Sequence, residues 1–275
     1  MEAVGIDGFD AFHRWSVEDP DGFWALVIDQ LDLPFSSPPT AIRGSEDPAD
    51  PHWLPGATFS IVEACLSGFP DDPAIAHGTA SAVTVLTRGN LRDRVRAFAG
   101  GLVEAGYEPG SRMAIAMPMT VDAVVAYLGI IAMGGVVVSI ADSFASTEIQ
   151  TRLTITEAEA VVTQDVTRRA GKTLPMYEKC AEATEVPCIV VDTGVGARLR
   201  DQDVWFSTIA DGDPVEPAHS DALAHTNILF SSGTTGEPKA IPWSQVTPIK
   251  AAMDGRFHHD IHAGDVVAWP TNLGW

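Results

Sequence analysis

Short apolar runs alternate with helix-length segments through the middle of the chain, and this alternation is the strongest constraint on its fold. The apolar runs are rich in Val, Ile, Met and Ala, and each is long enough for one strand. They lie at residues 113–117, 136–140, 160–163 and 188–191, and helices are predicted at 121–133, 146–157 and 174–184. Strands that alternate with helices in this way are typical of a parallel sheet with helices on both faces. The sequence therefore predicts an α/β fold in which parallel sheets are flanked by helices.

Further elements are predicted on both sides of this region. Helices are predicted at residues 23–31, 91–105 and 247–257, and strands at 74–76, 83–86 and 265–269, with a short extended segment at 241–243. Residues 201–221 are acidic and contain proline, and no helix or strand is predicted there. Residues 1–58 are rich in Pro, Asp and Trp with weak periodicity, so we expect an N-terminal extension that precedes a main domain at 59–275.

The segment 123–141 is apolar enough to raise the question of a membrane span. Gly134 and Gly135 divide it, however, into a helix-length and a strand-length piece, and no basic residues flank it. A buried helix, a turn and a buried strand explain this pattern better than a span. The N-terminus also has no basic and apolar leader, so we expect a cytoplasmic protein that does not enter the membrane.

The chain is strongly acidic, with 37 Asp and Glu against 17 Lys and Arg and a formal net charge of -20. The acids are scattered, so the surface as a whole opposes nucleic acid and anionic membranes. Two interpretations stay open: an ordinary acidic protein, or the cytosolic protein of a halophile, in which high salt screens the self-repulsion. The scarcity of lysine, with four in the chain, favours the second interpretation.

Cysteine and histidine do not form a recognisable metal or disulfide motif. Cys65, Cys180 and Cys188 are widely spaced, so we expect buried thiols in a reducing compartment. His258 and His262 would share one face of a helix, but Asp260 and Asp265 are the only acids at ligand spacing, and a solvated, unligated cluster explains the segment better. We therefore predict no metal-binding residue and no catalytic triad.

The segment FSSGTTGEPKA, residues 230–240, follows an apolar run and combines hydroxyl groups, glycines and one lysine. Backbone N–H groups and hydroxyls are the donors that polyphosphate oxygens require, and glycine allows the backbone to approach closely. The lysine does not directly follow the second glycine, so the segment is not a Walker A loop. The residues predicted to bind the phosphates of ATP are Ser231, Ser232, Gly233, Thr234, Thr235, Gly236 and Lys239.

This loop resembles the phosphate-binding loop of the adenylate-forming superfamily, which includes acyl-CoA synthetases, adenylation domains and beetle luciferases. Every position of the family pattern is matched. Segments at 52–65, 87–91, 118–120 and 133–137 are also similar, and 269–275 resembles a later D-x-G-W element with Asn272 at the position of the acid. The resemblance extends over about residues 20–275 and is strongest to the acetyl-CoA-synthetase-like, acyl-activating branch.

A basic cluster at residues 168–172 is the second candidate site. Taken alone, such a cluster is usually the solvated end of a helix. In the branch that the chain resembles, a similar stretch lies near the nucleotide phosphates of CoA. The resemblance therefore implies that Arg169 and Lys172 bind CoA, and that Trp275 lies at the edge of the acyl pocket.

The resemblance implies an AMP-forming acyl-CoA synthetase that uses ATP, Mg²⁺ and CoA to activate a small carboxylate, with acetate or propionate expected. The family's later adenine, ribose and hinge motifs, and its catalytic lysine, do not occur in these 275 residues. We therefore expect an incomplete N-terminal AMP-binding domain that is inactive alone. Two hypotheses stay open: the N-terminal part of such an enzyme, or a non-catalytic nucleotide- or CoA-binding chain that pairs with a separately encoded remainder.

Overall fold

The computed structural model describes residues 4–47, 49–79, 82–169, 171–232, 236–268 and 271–274. The helices of these residues are α1 (Phe9–Glu18), α2 (Pro20–Leu31), α3 (Ile61–Leu66), α4 (Arg88–Glu104), α5 (Val121–Ala132), α6 (Ser146–Thr156), α7 (Met176–Ala183), α8 (Phe206–Ala210) and α9 (Thr247–Phe257). The strands are β1 (Phe35–Ser37), β2 (Thr58–Phe59), β3 (Pro73–Thr79), β4 (Ala82–Thr87), β5 (Arg112–Ile115), β6 (Val136–Ser139), β7 (Ala160–Gln164), β8 (Val166–Arg169), β9 (Lys172–Pro175), β10 (Cys188–Val191), β11 (Val204–Trp205), β12 (Ser220–Asp221), β13 (His225–Ser231) and β14 (Lys239–Ser244).

The chain divides into two compact units. The smaller unit comprises Met1–Ile61, His219–Ala224 and Ser244–Val267. The larger unit comprises Val62–Ala218, His225–Trp243 and Ala268–Trp275.

The larger unit is built on a seven-stranded sheet in the order β11-β10-β7-β5-β6-β13-β14. The pairs that join β11, β10, β7, β5, β6 and β13 are all parallel. Strands β6 and β7 are buried along their whole length, which explains why they are continuous apolar runs in the sequence. The predicted α/β fold with a parallel sheet is confirmed.

Helices cover both faces of this sheet, since alternate residues of a strand point to opposite sides. On one face, Ala114, Val138 and Val161 share a core with residues of α6 and α7 such as Ile149 and Tyr177. On the other face, α5 contacts β5 and β6, α8 contacts β10, and both helices contact α4. The helix α4 approaches α8 so closely that a Cβ at Gly101 would overlap the carbonyl group of Ile209.

The segment 123–141 forms most of α5, a turn and β6, as predicted, with Gly134 at φ 87° in the turn. Within the part of the chain that the structure describes, no helix combines the length and the apolar character that crossing a membrane would need.

The smaller unit combines α1, α2 and α9 with a sheet in the order β1-β2-β12. The side chain of Gln245, which is 2% exposed, links its discontinuous segments. The Gln245 amide accepts from the backbone N–H of Ile61 at 3.0 Å and donates to the Phe59 carbonyl at 3.2 Å and to the Ser220 hydroxyl at 2.6 Å. Trp24, Ile28 and Trp53 line an apolar cavity of about 400 Å³ in the same unit.

A polar network in the larger unit surrounds Asp203, whose side chain is fully buried. Its carboxylate accepts from Arg200 Nε at 2.7 Å, the Tyr177 hydroxyl at 2.7 Å and the Cys188 N–H at 2.8 Å. Burial acts to raise the pKa of Asp203, but the hydrogen bonds, that from Arg200 first, outweigh it and hold the pKa below its ordinary value.

The basic cluster 168–172 is not the end of a helix. It belongs to an antiparallel hairpin of β8 and β9, and Gly171 adopts φ 74° in the turn. The helix predicted from residue 174 begins at Met176 instead. Because Pro175 disfavours a helical conformation at the residue before it, Leu174 remains in the strand.

Ser146 does not cap α6, although serine is a common N-cap residue. Ala145 occupies the N-cap position, and Glu148 accepts from its backbone N–H at 2.9 Å. Ser146 is the first helical residue, and its hydroxyl donates to Glu182 at 2.8 Å. The Ser146 hydroxyl is therefore used for a contact with α7 and not for capping α6.

The strand predicted at 265–269 does not form within the described residues 265–268, where Val266 is 87% exposed. Trp269 lies outside the described residues. A β-branched run forms a strand only where a neighbouring strand offers hydrogen bonds, and no described strand pairs with this run.

Three other features differ from expectation. The helix α1 was not predicted, and its Phe12 and Trp15 rings pack against Phe23 of α2. No element was predicted at residues 201–221, which contain β11, α8 and β12, because these elements are too short to give a periodic signal. Cys65 is exposed rather than buried, whereas Cys180 and Cys188 are buried as expected.

Candidate functional site

The loop predicted to bind phosphate lies where β13 ends. Strands β6 and β13 are parallel, with Asn227 opposite Val137, so both strands end at the same edge of the sheet. The Ser139 hydroxyl donates to Asn227 Oδ1 at 2.8 Å, and this buried hydrogen bond holds the register of the two strands. We call the side of the sheet where the parallel strands end the carboxyl edge. Ligands of parallel α/β sheets bind at this edge.

The described residues of the loop present donors to solvent. Ser231 is the half-buried last residue of β13, whereas Ser232 and Lys239 are exposed. Gly236 has φ 87°, a conformation that residues with a Cβ rarely adopt. Lys239 is the first residue of β14, and its side chain makes no hydrogen bond or ion pair with another described residue. The predicted phosphate-binding residues Gly233, Thr234 and Thr235 lie outside the described residues.

A second segment reaches the carboxyl edge near the end of the chain. A Cβ at Gly274 would overlap the backbone of Ala141, which follows β6 by two residues, so Gly274 packs directly on the chain there. The Gly274 N–H donates to Asn272 Oδ1 at 2.9 Å, which shapes the turn. Trp275, the predicted edge of the acyl pocket, lies outside the described residues.

The hairpin places the two residues predicted to bind CoA side by side. Arg169 and Lys172 are partners in the β8–β9 register, so their side chains lie on the same face of the hairpin. Both side chains are exposed. Arg169 Nη2 donates to Asp142 Oδ2 at 2.5 Å, which connects the hairpin to the segment after β6.

A cavity of about 570 Å³ opens between this segment, the start of α6, the hairpin and α7. The residues that line this cavity include Asp142, Ser146, Arg169 and Lys179. Lys172 is not among the described residues of the lining. Lys179 Nζ donates to the Asp142 carbonyl at 2.7 Å, and burial lowers the pKa of this ammonium group. Two cationic side chains of the cavity, those of Arg169 and Lys179, therefore both hydrogen-bond to Asp142.

Sequence reasoning missed Asp142 and Lys179. The available signals were weak: Asp142 follows a buried strand at the edge where ligands bind, and Lys179 is one of few lysines in an acidic chain. Neither residue belongs to a motif by spacing, because the contact between them depends on tertiary structure.

The histidine cluster near the end of the smaller unit is engaged with neighbouring polar groups. His262 contacts Asp260 at 2.7 Å and Arg256 Nη1 at 3.0 Å, and His258 lies 3.8 Å from Asp254. The hydrogen bond from His262 lowers the pKa of Asp260. Among the residues with described placement, no three His, Cys, Asp or Glu side chains group as metal ligands would.

Comparisons with known proteins agree with these features. The AMP-binding enzyme family matches residues 62–275, and the acetyl-coenzyme A synthetase N-terminus matches residues 9–65. The probable acyl-activating enzyme 18, peroxisomal, of Arabidopsis thaliana is 43% identical over 98% of this chain and 40% of its own length. The hexanoyl-CoA synthase of Cannabis sativa is 42% identical over the same shares.

A solved structure shows the same fold. The acetoacetyl-CoA synthetase from Streptomyces lividans superposes with a TM-score of 0.91 and is 30% identical over 98% of this chain and 43% of that chain. The chain thus spans 40% of the length of the acyl-activating relative from Arabidopsis thaliana. The resemblance inferred from the phosphate-binding loop is confirmed, and the chain belongs to the AMP-binding enzyme family.

Proposed function

We propose that the chain is the N-terminal portion of an AMP-forming acyl-CoA synthetase, which converts a carboxylate, ATP and CoA to acyl-CoA, AMP and pyrophosphate. The observation that supports this most is the segment 230–240, a complete family phosphate loop whose flanking strand β13 ends at the carboxyl edge of a parallel sheet. Family membership supports the reaction class.

In this proposal, the loop binds the pyrophosphate part of ATP, which is the leaving group of the first half-reaction. The carboxylate attacks the α-phosphorus of ATP, and the bond to the bridging oxygen breaks to release pyrophosphate. The β- and γ-phosphates would be held by the hydroxyls of Ser231 and Ser232, by the predicted residues 233–235 and by the Lys239 ammonium group. Donors that are already in position stabilise charge as it develops on the leaving group, without reorganisation. Lys239 is suited to this role because its ammonium group forms no ion pair with a described residue.

In the second half-reaction, the thiol of CoA attacks the carbonyl carbon of the acyl-adenylate, and AMP leaves. We propose that Arg169 and Lys172 bind the phosphates of CoA, as cations that lie side by side on an exposed hairpin can. Mg²⁺ would neutralise charge on the ATP phosphates. The described residues do not group three possible metal ligands, so we assign no chain residue to Mg²⁺.

The substrate and the setting are also proposals. We propose a short-chain acid, acetate or propionate, with Trp275 at the edge of the acyl pocket, and a cytoplasmic location. We further propose that residues 1–275 do not catalyse either half-reaction alone, because the described residues include no catalytic group beyond the phosphate and CoA contacts.

The proposal is tested by carboxylate-dependent exchange of radiolabelled pyrophosphate into ATP. We expect no exchange from the 275-residue chain, and exchange with acetate or propionate when the chain is fused to the remaining C-terminal part of the Arabidopsis relative. Lys239→Ala in the fusion is the matched control and should lower the exchange rate at least about tenfold. Exchange by the chain alone would contradict the proposed inactivity. A folded fusion that binds ATP and exchanges with none of the acids, hexanoate included, would instead favour a non-catalytic binding chain.

A further inference from the structure

Asp142 is a buried carboxylate whose charge is balanced by a single side chain. Its side chain is 2% exposed, and Oδ2 accepts from Arg169 Nη2 at 2.5 Å. Its other oxygen, Oδ1, is buried and has no hydrogen-bond partner among the described residues. A buried carboxylate is costly unless it is paired, so the ion pair constrains both residues.

The arginine of this pair keeps most of its donors free. The Arg169 side chain is 55% exposed, and Asp142 is the one hydrogen-bond partner of its guanidinium among the described residues. A guanidinium group has five N–H donors in a rigid plane. Asp142 therefore fixes one side of this plane and leaves the remaining donors at the wall of the cavity.

The same aspartate also anchors the second cation. Lys179 Nζ donates to the backbone carbonyl of Asp142 at 2.7 Å, and Lys179 lines the same cavity. An ammonium group has three donors, so this contact leaves two for a ligand. Both cations of the cavity thus contact one residue in the segment after β6, Arg169 through the Asp142 carboxylate and Lys179 through the Asp142 carbonyl.

Net charge alone does not explain an anion site here. Glu148, Glu178 and Glu182 also line the cavity. Glu148 accepts a hydrogen bond from the Ala145 N–H, and Glu182 accepts one from the Ser146 hydroxyl. Glu178 is exposed, and its side chain makes no hydrogen bond or ion pair with a described residue. With acids in excess, the exact placement of the cations must decide whether an anion binds.

We propose that Asp142 is a positioning residue of the CoA phosphate site, which holds Arg169 and Lys179 so that their free donors meet a phosphate group. This inference rests on the proposed function, in which Arg169 binds CoA. It adds Lys179 as a third cation beside Arg169 and Lys172.

The test is the affinity of the 275-residue chain for CoA, measured by calorimetry, with Asp142→Asn and the matched control Glu178→Gln. Each variant removes one negative charge from the same cavity. If Asp142 acts by position, Asp142→Asn weakens CoA binding about tenfold although it makes the cavity more positive. Glu178→Gln should leave the affinity unchanged or increase it. Tighter binding by Asp142→Asn would overturn the proposal, because simple electrostatics predicts that result.

A second measurement does not depend on CoA. We expect Asp142→Asn to increase the rate at which an arginine-selective dicarbonyl modifies Arg169, followed by peptide mass spectrometry, while neighbouring Arg168 keeps its rate. An unchanged rate of Arg169 modification would show that Asp142 does not hold the Arg169 guanidinium, whatever the result with CoA. If folded wild-type chain binds no CoA, the proposed CoA site itself fails, and this inference fails with it.

Arg169→Lys is the further variant if Asp142→Asn does not fold. A single ammonium group cannot hold Asp142 and present a rigid fork to phosphate at once. We expect CoA binding at least about tenfold weaker than in the wild type. Wild-type affinity in folded Arg169→Lys would contradict a positioned guanidinium.

Discussion

Gly236 shows how a single backbone conformation can shape the phosphate loop. Its φ is 87°, and a Cβ at this position would meet no atom within 4 Å. A side chain at this position would therefore not clash with other atoms. Its energetic cost, about 1–2 kcal/mol, would come from holding a residue with a Cβ in the left-handed backbone conformation.

We expect Gly236→Ala to weaken ATP binding about tenfold, because the loop must leave this conformation to relieve the strain. Calorimetry with ATP measures the effect. Gly5→Ala is the control, since Gly5 has φ 64° and equally open surroundings. It should add the same kind of strain without changing ATP affinity. Wild-type ATP affinity in Gly236→Ala would show that the loop does not need this conformation.

Asp203 tests the energetics of a buried ion pair. Asp203→Asn leaves Arg200 without its charged partner, and we expect the free energy of unfolding to fall by about 3 kcal/mol in a urea titration. Asp201→Asn, an exposed change in the same loop, should change it by less than about 0.5 kcal/mol.

The loss of stability that Asp203→Asn causes should also depend on pH. The folded-state pKa of Asp203 lies below the ordinary value of 3.8. Its contribution is complete above the unfolded pKa and is lost as the pH falls through the lower folded pKa. The difference in stability between wild type and Asp203→Asn should therefore shrink below about pH 4. A difference that stays constant down to pH 2 would contradict this origin.

The residues of the phosphate loop could be predicted because their chemistry is contiguous in the sequence. Asp142 could not be predicted in the same way. Its partners Arg169 and Lys179 come from a hairpin and a helix that meet it only after folding. A lone aspartate after a strand has many possible roles, so pattern alone does not select one.

At the scale of elements, helix α4 depends on close contact with the segment around α8. A Cβ at Gly101 would overlap the Ile209 carbonyl, which is backbone and cannot move aside as a side chain can. We expect Gly101→Ala to lower the free energy of unfolding by about 1–3 kcal/mol in urea titration.

Gly255→Ala on α9 is the matched helical control. Its Cβ would meet the Ile261 side chain at 3.6 Å, an ordinary contact. Because alanine favours the helix more than glycine, this change should be neutral or stabilise by up to about 1 kcal/mol. Equal destabilisation by the two changes would show that close packing at Gly101 is not the cause.

Elements were predictable where burial imposes a regular pattern. The strands β6, β7 and β10 are continuous apolar runs because helices cover both faces, and α9 was predicted with its observed bounds. The hairpin β8–β9 was missed because its residues are largely exposed and polar, so no alternation marks it. The segment 265–268 gave the opposite error: it has strand composition, but no described strand pairs with it.

At the scale of the whole molecule, the net charge of -20 should make stability depend on salt. If the protein comes from a halophile, the interpretation that the scarcity of lysine favours, multimolar KCl will screen the self-repulsion. We expect a markedly higher Tm in multimolar KCl than in dilute buffer, measured by circular dichroism. Equal Tm values in both would contradict the halophile proposal.

The division into an extension at 1–58 and a main domain at 59–275 stays a prediction. The compact units of the structure are discontinuous: Gln245 hydrogen-bonds to Phe59 and Ser220, which are far from it in sequence. Such long-range pairing cannot be derived from composition along the chain. The family assignment, in contrast, could be derived from the sequence, because one contiguous loop identifies it.

The most direct test of the central claim compares the affinity of the 275-residue chain for ATP and for AMP by calorimetry. If residues 230–240 grip the β- and γ-phosphates, folded chain binds ATP at least about tenfold more tightly than AMP, and pyrophosphate competes. Lys239→Gln should weaken ATP binding about tenfold and leave AMP binding unchanged. Equal affinity for ATP and AMP, or ATP binding that Lys239→Gln does not alter, would contradict the assignment of this loop.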